Sequence, residues 1–287
     1  MISETMRFTD RCMRIFQHAE LAALESTGVV EPIHLLVGTF HEGTGVCTEL
    51  LMNYQETYDS LLEWLGQTNM DDGEQAVQCW PFHTKVSLAV KKILERSSQL
   101  MARYKQIYLN EGLVLKALFD LKDPTICSLI STEDVSSILE IVYSPRDLIV
   151  SLKEYSFPNE TVSKSIIRRV TQDDFTVLRD FVEGEFGKGW LESIDNGFHE
   201  TNIPIFIAIE KDQIVGFACY DVVRKKKGLF GPMGTAIDHR SLGIGYQLLH
   251  QCLKAMHEHG YAYVIIDEAG PIEFYEKACS ARIIPKT

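Results

Sequence analysis

The sequence predicts two domains of different class: an all-α helical bundle over residues 1 to 154, then, after a linker at 155 to 164, an α+β domain with a mixed central sheet over residues 165 to 287. Three observations carry this. Apolar residues recur at helical spacing through the first half without strand-like alternation, and the pattern changes to short strands after a polar, proline-containing stretch. A chain of 287 residues, 45% hydrophobic and 24% charged, is also long enough for two cores.

The formal net charge of -12 is unevenly spread: residues 164 to 287 hold 15 Lys+Arg against 17 Asp+Glu, leaving 13 against 23 for residues 1 to 163. An acidic surface repels phosphate backbones, so no nucleic-acid partner is expected there, while basic peptides or amines are favoured. Cysteines at 12, 47, 79, 127, 219, 252 and 279 include no Cys-x-x-Cys pair, which argues against a disulfide framework or a zinc site and reads as reduced thiols. Neither an export signal nor a run of 18 apolar residues is present. The expectation is a cytoplasmic protein with no membrane segment.

Cys12, Ile15, Phe16, Ala19, Ala22 and Ala23 mark the first amphipathic helix, with Gly28 as its stop. Glu31 and Pro32 open a second, Val46 to Met52 form a third and Tyr54 to Leu65 a fourth. The pattern then restarts about 75 to 80 residues later: Phe82, Val86, Ala89, Val90, Ile93, Leu94 and Met101 repeat the first helix, and Leu113 to Phe119 repeat His34 to Phe40. Phe8-Thr9 before a helix, His34-Leu35-Leu36-Val37-Gly38, and the Phe82-His83-Thr84 restart resemble the double repeat of the Clp N-terminal domain. That resemblance implies a module that docks adaptors or substrate segments and catalyses nothing. No Gly-x-x-x-x-Gly-Lys-Ser/Thr loop occurs in the chain to supply an ATPase. The alternative is an inert bundle, in which a lone His such as His34 is a packed residue and not a binding determinant. Helical character is expected to continue over Glu133 to Leu139 and Pro145 to Lys153.

Beyond the linker, strands are expected at Ser165 to Val170, Pro204 to Glu210, Gln213 to Val223, Gly228 to Ile237 and Tyr261 to Asp267. Helices are expected at Asp173 to Phe186, Trp190 to His199, Leu242 to His259 and Pro271 to Cys279. Lys211-Asp212 reads as a two-residue hairpin loop and Arg224 to Lys227 as a solvated tip. The chemistry concentrates in Thr235, Ala236, Ile237, Arg240, Leu242, Gly243, Ile244, Gly245 and Tyr246, which join a strand to a long helix. Glycines there admit a ligand without Cβ clashes, and the N–H groups of a helix's first turn bind anions, a pyrophosphate above all. A dinucleotide fold competes, since Asp267 lies about 20 residues on, but Leu248 replaces the third glycine, Gly231-Pro232-Met233-Gly234 interrupts the preceding strand, and too little chain follows.

Arg-x-x-Gly-x-Gly after a strand, with Glu273-Phe274-Tyr275-Glu276-Lys277 one strand later, resembles the GNAT acyltransferase superfamily across residues 165 to 287. The resemblance implies acetyl-CoA as donor, a bulged strand at Gly231 to Ile237 whose freed backbone groups hold pantetheine, and Tyr275 as the acid beside the departing sulfur; the competing reading of Tyr275 is a core aromatic. Asp221, Asp238, His239, Asp267 and Glu268 are candidate bases, none singled out by spacing. His250, His257 and His259 lack metal-ligand spacing and are expected at the surface, so no metal is expected. This chain departs from the family pattern at Ile237, Ser241-Leu242 and Glu268. Ser280 to Thr287 leaves room for one last strand only, so the sheet's seventh strand is expected to be missing and a homodimer could supply it. The reaction expected is transfer of an acetyl group to the primary amine of a small molecule or protein, with a protein partner on the helical module; the rival reading is an acyl-CoA-sensing adaptor without turnover.

Overall fold

The computed structural model describes residues 6–67, 76–158 and 165–286; part of the expected linker, 159–164, lies outside them. Two compact units result, Met1–Ser144 with Pro285–Thr287, and Pro145–Ile284. The division falls at Ser144/Pro145, ahead of the linker expected at 155 to 164. Among the described residues no helix is long and apolar enough to cross a membrane.

The first unit is helical: α1 (Asp10–Leu24), α2 (Pro32–Glu42), α3 (Val46–Asn53) and α4 (Gln55–Gln67), then α5 (Leu88–Arg103), α6 (Glu111–Leu121), α7 (Pro124–Leu129) and α8 (Thr132–Val142). The duplication seen in sequence is also a pairing in space. Phe8, ahead of α1, bridges Leu109, ahead of α6, while Val30, ahead of α2, bridges Val86, ahead of α5. The two repeats thus exchange equivalent segments. Thr9 and Ser87 cap α1 and α5 in the same way, accepting from Cys12 N and Val90 N. Gly38 lets α2 lie against α1, since a Cβ there would meet Ala19 N at 2.9 Å. Arg11, buried on α1, donates to Glu111 Oε1 of the second repeat at 3.0 Å and ties the halves together.

His34 is fully buried. Its Nδ1 accepts from Glu31 N at 2.9 Å and its Nε2 meets Ser26 Oγ at 2.9 Å, so it serves as part of the α2 cap. Burial pushes its pKa down to about 4.

The second unit is a seven-stranded sheet in the order β2-β3-β4-β5-β6-β1-β7, with β1 (Arg146–Ser151), β2 (Ile166–Arg169), β3 (Ile205–Glu210), β4 (Gln213–Tyr220), β5 (Leu229–Thr235), β6 (Tyr263–Ala269) and β7 (Arg282–Ile283). Helices α9 (Phe175–Phe186), α10 (Leu191–Phe198), α11 (Ile244–Glu258) and α12 (Ile272–Cys279) cover it. Lys211 and Asp212 turn β3 into β4 with φ of 50° and 60°, as a two-residue hairpin requires.

Two expectations are corrected here. The segment Pro145 to Lys153 is not a helix but β1, and β1 lies between β6 and β7, antiparallel to both. The short apolar run Leu148-Ile149-Val150 is ambiguous by periodicity alone, and Pro145, read as a helix start, instead separates α8 from a strand. β1 thereby supplies the seventh strand that the C-terminal segment lacked. The position a partner's strand would have filled is taken by the chain itself, and the reason for expecting a homodimer is gone.

Leu148, Val150 and Leu152 are fully buried, each contributing roughly 1.5–3 kcal/mol, which together rivals the net stability of a typical domain, roughly 5–15 kcal/mol. A fragment of residues 145–287 is therefore expected to unfold cooperatively on heating, and one of residues 165–287 to show no cooperative transition, as followed by calorimetry. A second prediction concerns His34. The unfolded chain takes up a proton near 6.5 that the folded unit refuses until about 4, so stability is fully present above pH 6.5 and falls as pH drops. The helical unit should lose roughly 2–3 kcal/mol across that window, and His34→Gln should flatten the slope of urea midpoints against pH.

Candidate active site

β5 pairs with its two neighbours unequally. Against β4 the register runs Gly216↔Thr235, Phe217↔Gly234, Ala218↔Met233 and then Tyr220↔Phe230, so Gly231 and Pro232 stand opposite Cys219 alone, as a bulge. Against β6 only Leu229↔Ile265 and Phe230↔Ile266 pair, in parallel. Pro232 has no N–H to offer, Gly231 sits at φ 125°, and beyond them β5 and β6 part. Ala236 N donates to Val215 O at 2.9 Å. In antiparallel alternation this makes Phe217/Gly234 the next hydrogen-bonded pair, so the amide groups of Met233 and Thr235 point into the gap. Arg240 Nε donates to one of them, Thr235 O, at 3.1 Å.

The bulge also turns the side chains over. Phe230 packs against Tyr275 of α12 at 6.2 Å between ring centres. After the two bulged residues it is Met233 and Thr235 that face the helices: a Cβ on Gly245 of α11 would lie 3.7 Å from Thr235 Oγ1, 3.8 Å from Phe274 Cζ and 3.9 Å from Met233 Cε.

From Thr235 the chain passes Ala236, a 3-10 turn at Ile237–His239, Arg240, Ser241 at φ 64° and exposed Leu242, and enters α11 through Gly243 at φ 80°. Gly243 provides no side-chain cap, and the first-turn N–H groups at Ile244, Gly245 and Tyr246 lie at the positive end of the helix dipole, which favours an anion. A backbone gap on β5 and a helix N-terminus thus adjoin, and all nine residues singled out in sequence for cofactor binding line this one stretch.

Tyr275 is 6% exposed, between Phe230 and Phe274. Burial, with Cys279 beside it, raises its pKa well above that of a free phenol, so it stays protonated across physiological pH. The candidate bases separate by their surroundings. Asp221, buried at φ 60°, accepts from Gly228 N at 2.7 Å and Tyr261 O–H at 2.9 Å, which commits it to holding the β4–β5 loop. His239 lies 3.7 Å from Glu210, in the turn with Asp238. Exposed Glu268 donates its N–H to Asp147 of β1. Asp267 accepts from Arg224 at 2.5 Å. Of the stretch Arg224 to Lys227, Arg224 is thus an ion-pair partner, while Lys227 stands 3.9 Å from Asp221 and 4.0 Å from Glu200.

His250, expected at the surface, is 8% exposed: Nε2 donates to Ala278 O at 3.0 Å, Nδ1 meets Tyr155 O–H at 3.4 Å, and burial lowers its pKa. Its spacing from Tyr246 and Leu253 on α11 places it on the helix stripe turned towards α12. His257 and His259 are exposed, as read. Phe186 ends α9, as expected, and a Cβ on Gly234 would strike its ring; a glycine in mid-strand is the signal for such a close approach. Among the described residues no group of three or more His, Cys, Asp and Glu could hold a metal ion.

Comparison with protein families matches residues 167–280 to the acetyltransferase (GNAT) family and residues 7–131 to the Clp repeat (R) N-terminal domain. No curated protein matches. Among solved structures, a GCN5-related glucosamine N-acetyltransferase region of a fungal multi-domain GH3 β-N-acetylglucosaminidase is 16% identical, with a TM-score of 0.43 over 49% of this chain and 20% of that one. The GCN5-related N-acetyltransferase of Sphaerobacter thermophilus is 18% identical, with a TM-score of 0.40 over 60% of this chain and 64% of that one. The N-terminal domain of the caseinolytic protease associated chaperone ClpD from Arabidopsis thaliana is 14% identical, with a TM-score of 0.39 over 48% of this chain and 94% of that one. At these identities and scores none bears on substrate or activity. The matched regions together make the chain a fusion of a Clp repeat N-terminal domain, residues 7–131, with a domain of the GNAT acetyltransferase family, residues 167–280.

Proposed function

We propose that the chain is an acetyl-CoA-dependent N-acetyltransferase acting on a primary amine. The observation that carries this reading is the gap between β5 and β6: it opens the amides of Met233 and Thr235 beside the uncapped first turn of α11, a site suited to a ligand that is amide-bearing at one end and doubly phosphorylated at the other. Gly243, Gly245 and Arg240 line the phosphate end, with Thr235, Ala236, Ile237, Leu242, Ile244 and Tyr246 around it. When bound, acetyl-CoA supplies an activated acyl group. Tyr275 holds the proton that the departing sulfur takes, and its burial keeps that proton in place until then. The rest of the catalysis is alignment of amine and thioester in a fixed frame.

The helical unit fits a docking role. Leu21, Leu24, Met52, Leu62 and Trp80 expose apolar side chains on an acidic unit, a combination that favours a basic, partly apolar segment of a protein partner.

Calorimetry of the full chain should show acetyl-CoA binding, with release of free thiol in the presence of primary amines. Tyr275→Phe should lower kcat by about 100-fold or more while leaving acetyl-CoA affinity unchanged. Gly245→Val, which sets two methyl groups against Thr235, Phe274 and Met233, should weaken acetyl-CoA binding at least tenfold at a nearly unchanged melting temperature. Binding without thiol release across a broad amine panel, indifferent to Tyr275→Phe, would instead make the chain an acyl-CoA sensor.

A further inference from the structure

Tyr275 stands on α12, a helix of eight residues whose buried side chains are Ile272, Tyr275 and Cys279. A helix that short is not stable alone, so its position depends on what holds it from outside. The carbonyl of Ala278 falls in its last turn, beyond the reach of the helix's own N–H groups. His250 of α11 fills that place, Nε2 donating to Ala278 O at 3.0 Å. A carbonyl only accepts, so the proton sits on Nε2 and Nδ1 is left as the acceptor that faces Tyr155 O–H at 3.4 Å. Within the same turn, the carbonyl of Tyr275 receives Cys279 Sγ at 3.2 Å and Ala281 N at 3.3 Å. The phenol-bearing residue and the carbonyl held by His250 therefore move together.

Tyr155 reaches this place from the end of β1. Leu152 N donates to Ala262 O at 2.8 Å and Tyr155 N to Leu152 O at 3.2 Å, with Glu154 between them at φ 62°, so the chain turns there. Beyond the turn, Tyr155 and Phe157 lie against His250 and His257 of α11, at 6.0 and 5.4 Å between ring centres. Tyr246, one turn before His250, packs on its ring at 4.3 Å. We propose that Tyr155 and His250 form a brace that fixes α12 against α11, which makes His250 a positioning residue for Tyr275. Its consequence for turnover rests on the acetyltransferase reading above; the brace itself does not.

The brace needs a neutral imidazole. A proton on Nδ1 removes the acceptor for Tyr155 O–H and places a charge in a site that is 8% exposed, and burial already holds the pKa of His250 below its ordinary value. The titratable groups around it are Tyr155 after β1, Tyr246 on α11 and Cys279 beside Ala278 on α12, phenols and a thiol that are uncharged in acid. Lys254 and His257, further along α11, are exposed and cationic in acid. None of them offsets an imidazolium. The brace is therefore closed above the ordinary histidine value and opens as pH falls through the lowered pKa of His250, which frees the last turn of α12.

The test follows thiol release by the full chain with acetyl-CoA and hexylamine, and follows its tyrosine rings, carbon-labelled, by NMR. His250→Leu should lower kcat about tenfold, with acetyl-CoA affinity by calorimetry within about twofold of wild type. His250→Gln, which keeps a donor for Ala278 O, should restore most of the lost kcat. Tyr155→Phe, which removes one hydroxyl and serves where His250→Leu does not fold, should lower kcat about threefold. Below about pH 6 the wild-type kcat should fall along a limb that His250→Gln lacks. The Tyr275 ring signals should shift in that same transition in wild type and stay still in His250→Gln. Ring signals of Tyr275 that ignore both acid and the loss of His250 overturn the brace, whether or not the chain acetylates amines. A kcat unmoved by His250→Leu or Tyr155→Phe overturns the positioning role while the transferase reading stands. Ring signals that follow His250 in a chain that releases no thiol uphold the brace and overturn the transferase reading.

Discussion

The second unit depends on a single interruption of pairing. Had β5 continued beside β6 past Phe230 and Ile266, each strand would have satisfied the other's amides and the sheet would present nothing to a ligand. Two bulged residues prevent this, one without an N–H and the other free of a side chain. Open backbone groups cost about 1–3 kcal/mol each when buried without a partner; here they stay at an edge, and Arg240 covers the carbonyl of Thr235. The same bulge decides which side chains face which helices, and so puts Gly234 under Phe186 and Met233 beside Gly245.

How much of this was legible depends on sequence distance. The strand-to-helix turn could be read because its chemistry is local: glycines at Gly243 and Gly245, a proline in the strand before it, and an amphipathic helix after it fall within one short window. The helical duplication could be read because a period survives even where residues change. β1 could not be read, since Leu148-Ile149-Val150 fits a buried strand or a helix stripe equally well, and the strands that decide between them lie at the far end of the chain. Nor could His250, whose partners Tyr155 and Ala278 come from before and after its own helix.

The helical unit shows the limit of reading single residues. His34 in the first repeat and Leu113 in the second occupy equivalent places, and both begin a helix behind a capped turn: Glu31 and His34 share the work in one, Asn110 does it alone in the other. A histidine that stood out in the sequence thus serves as a local hydrogen-bonding device, and its difference from Leu113 reflects two solutions to the same capping problem.

The place of β1 in the sheet has a consequence for the order of assembly. A ribosome produces Leu148 and Val150 long before Val264, Ile266 and Ile283, the residues that flank them. Most of the helical unit precedes them, although Pro285–Thr287 belongs to it and is made last, and the first strand of the next unit waits, apolar and unpaired, for the last two strands to be made. The second unit therefore closes late, on its earliest segment, and depends on long-range pairing that is intrinsically slow to form.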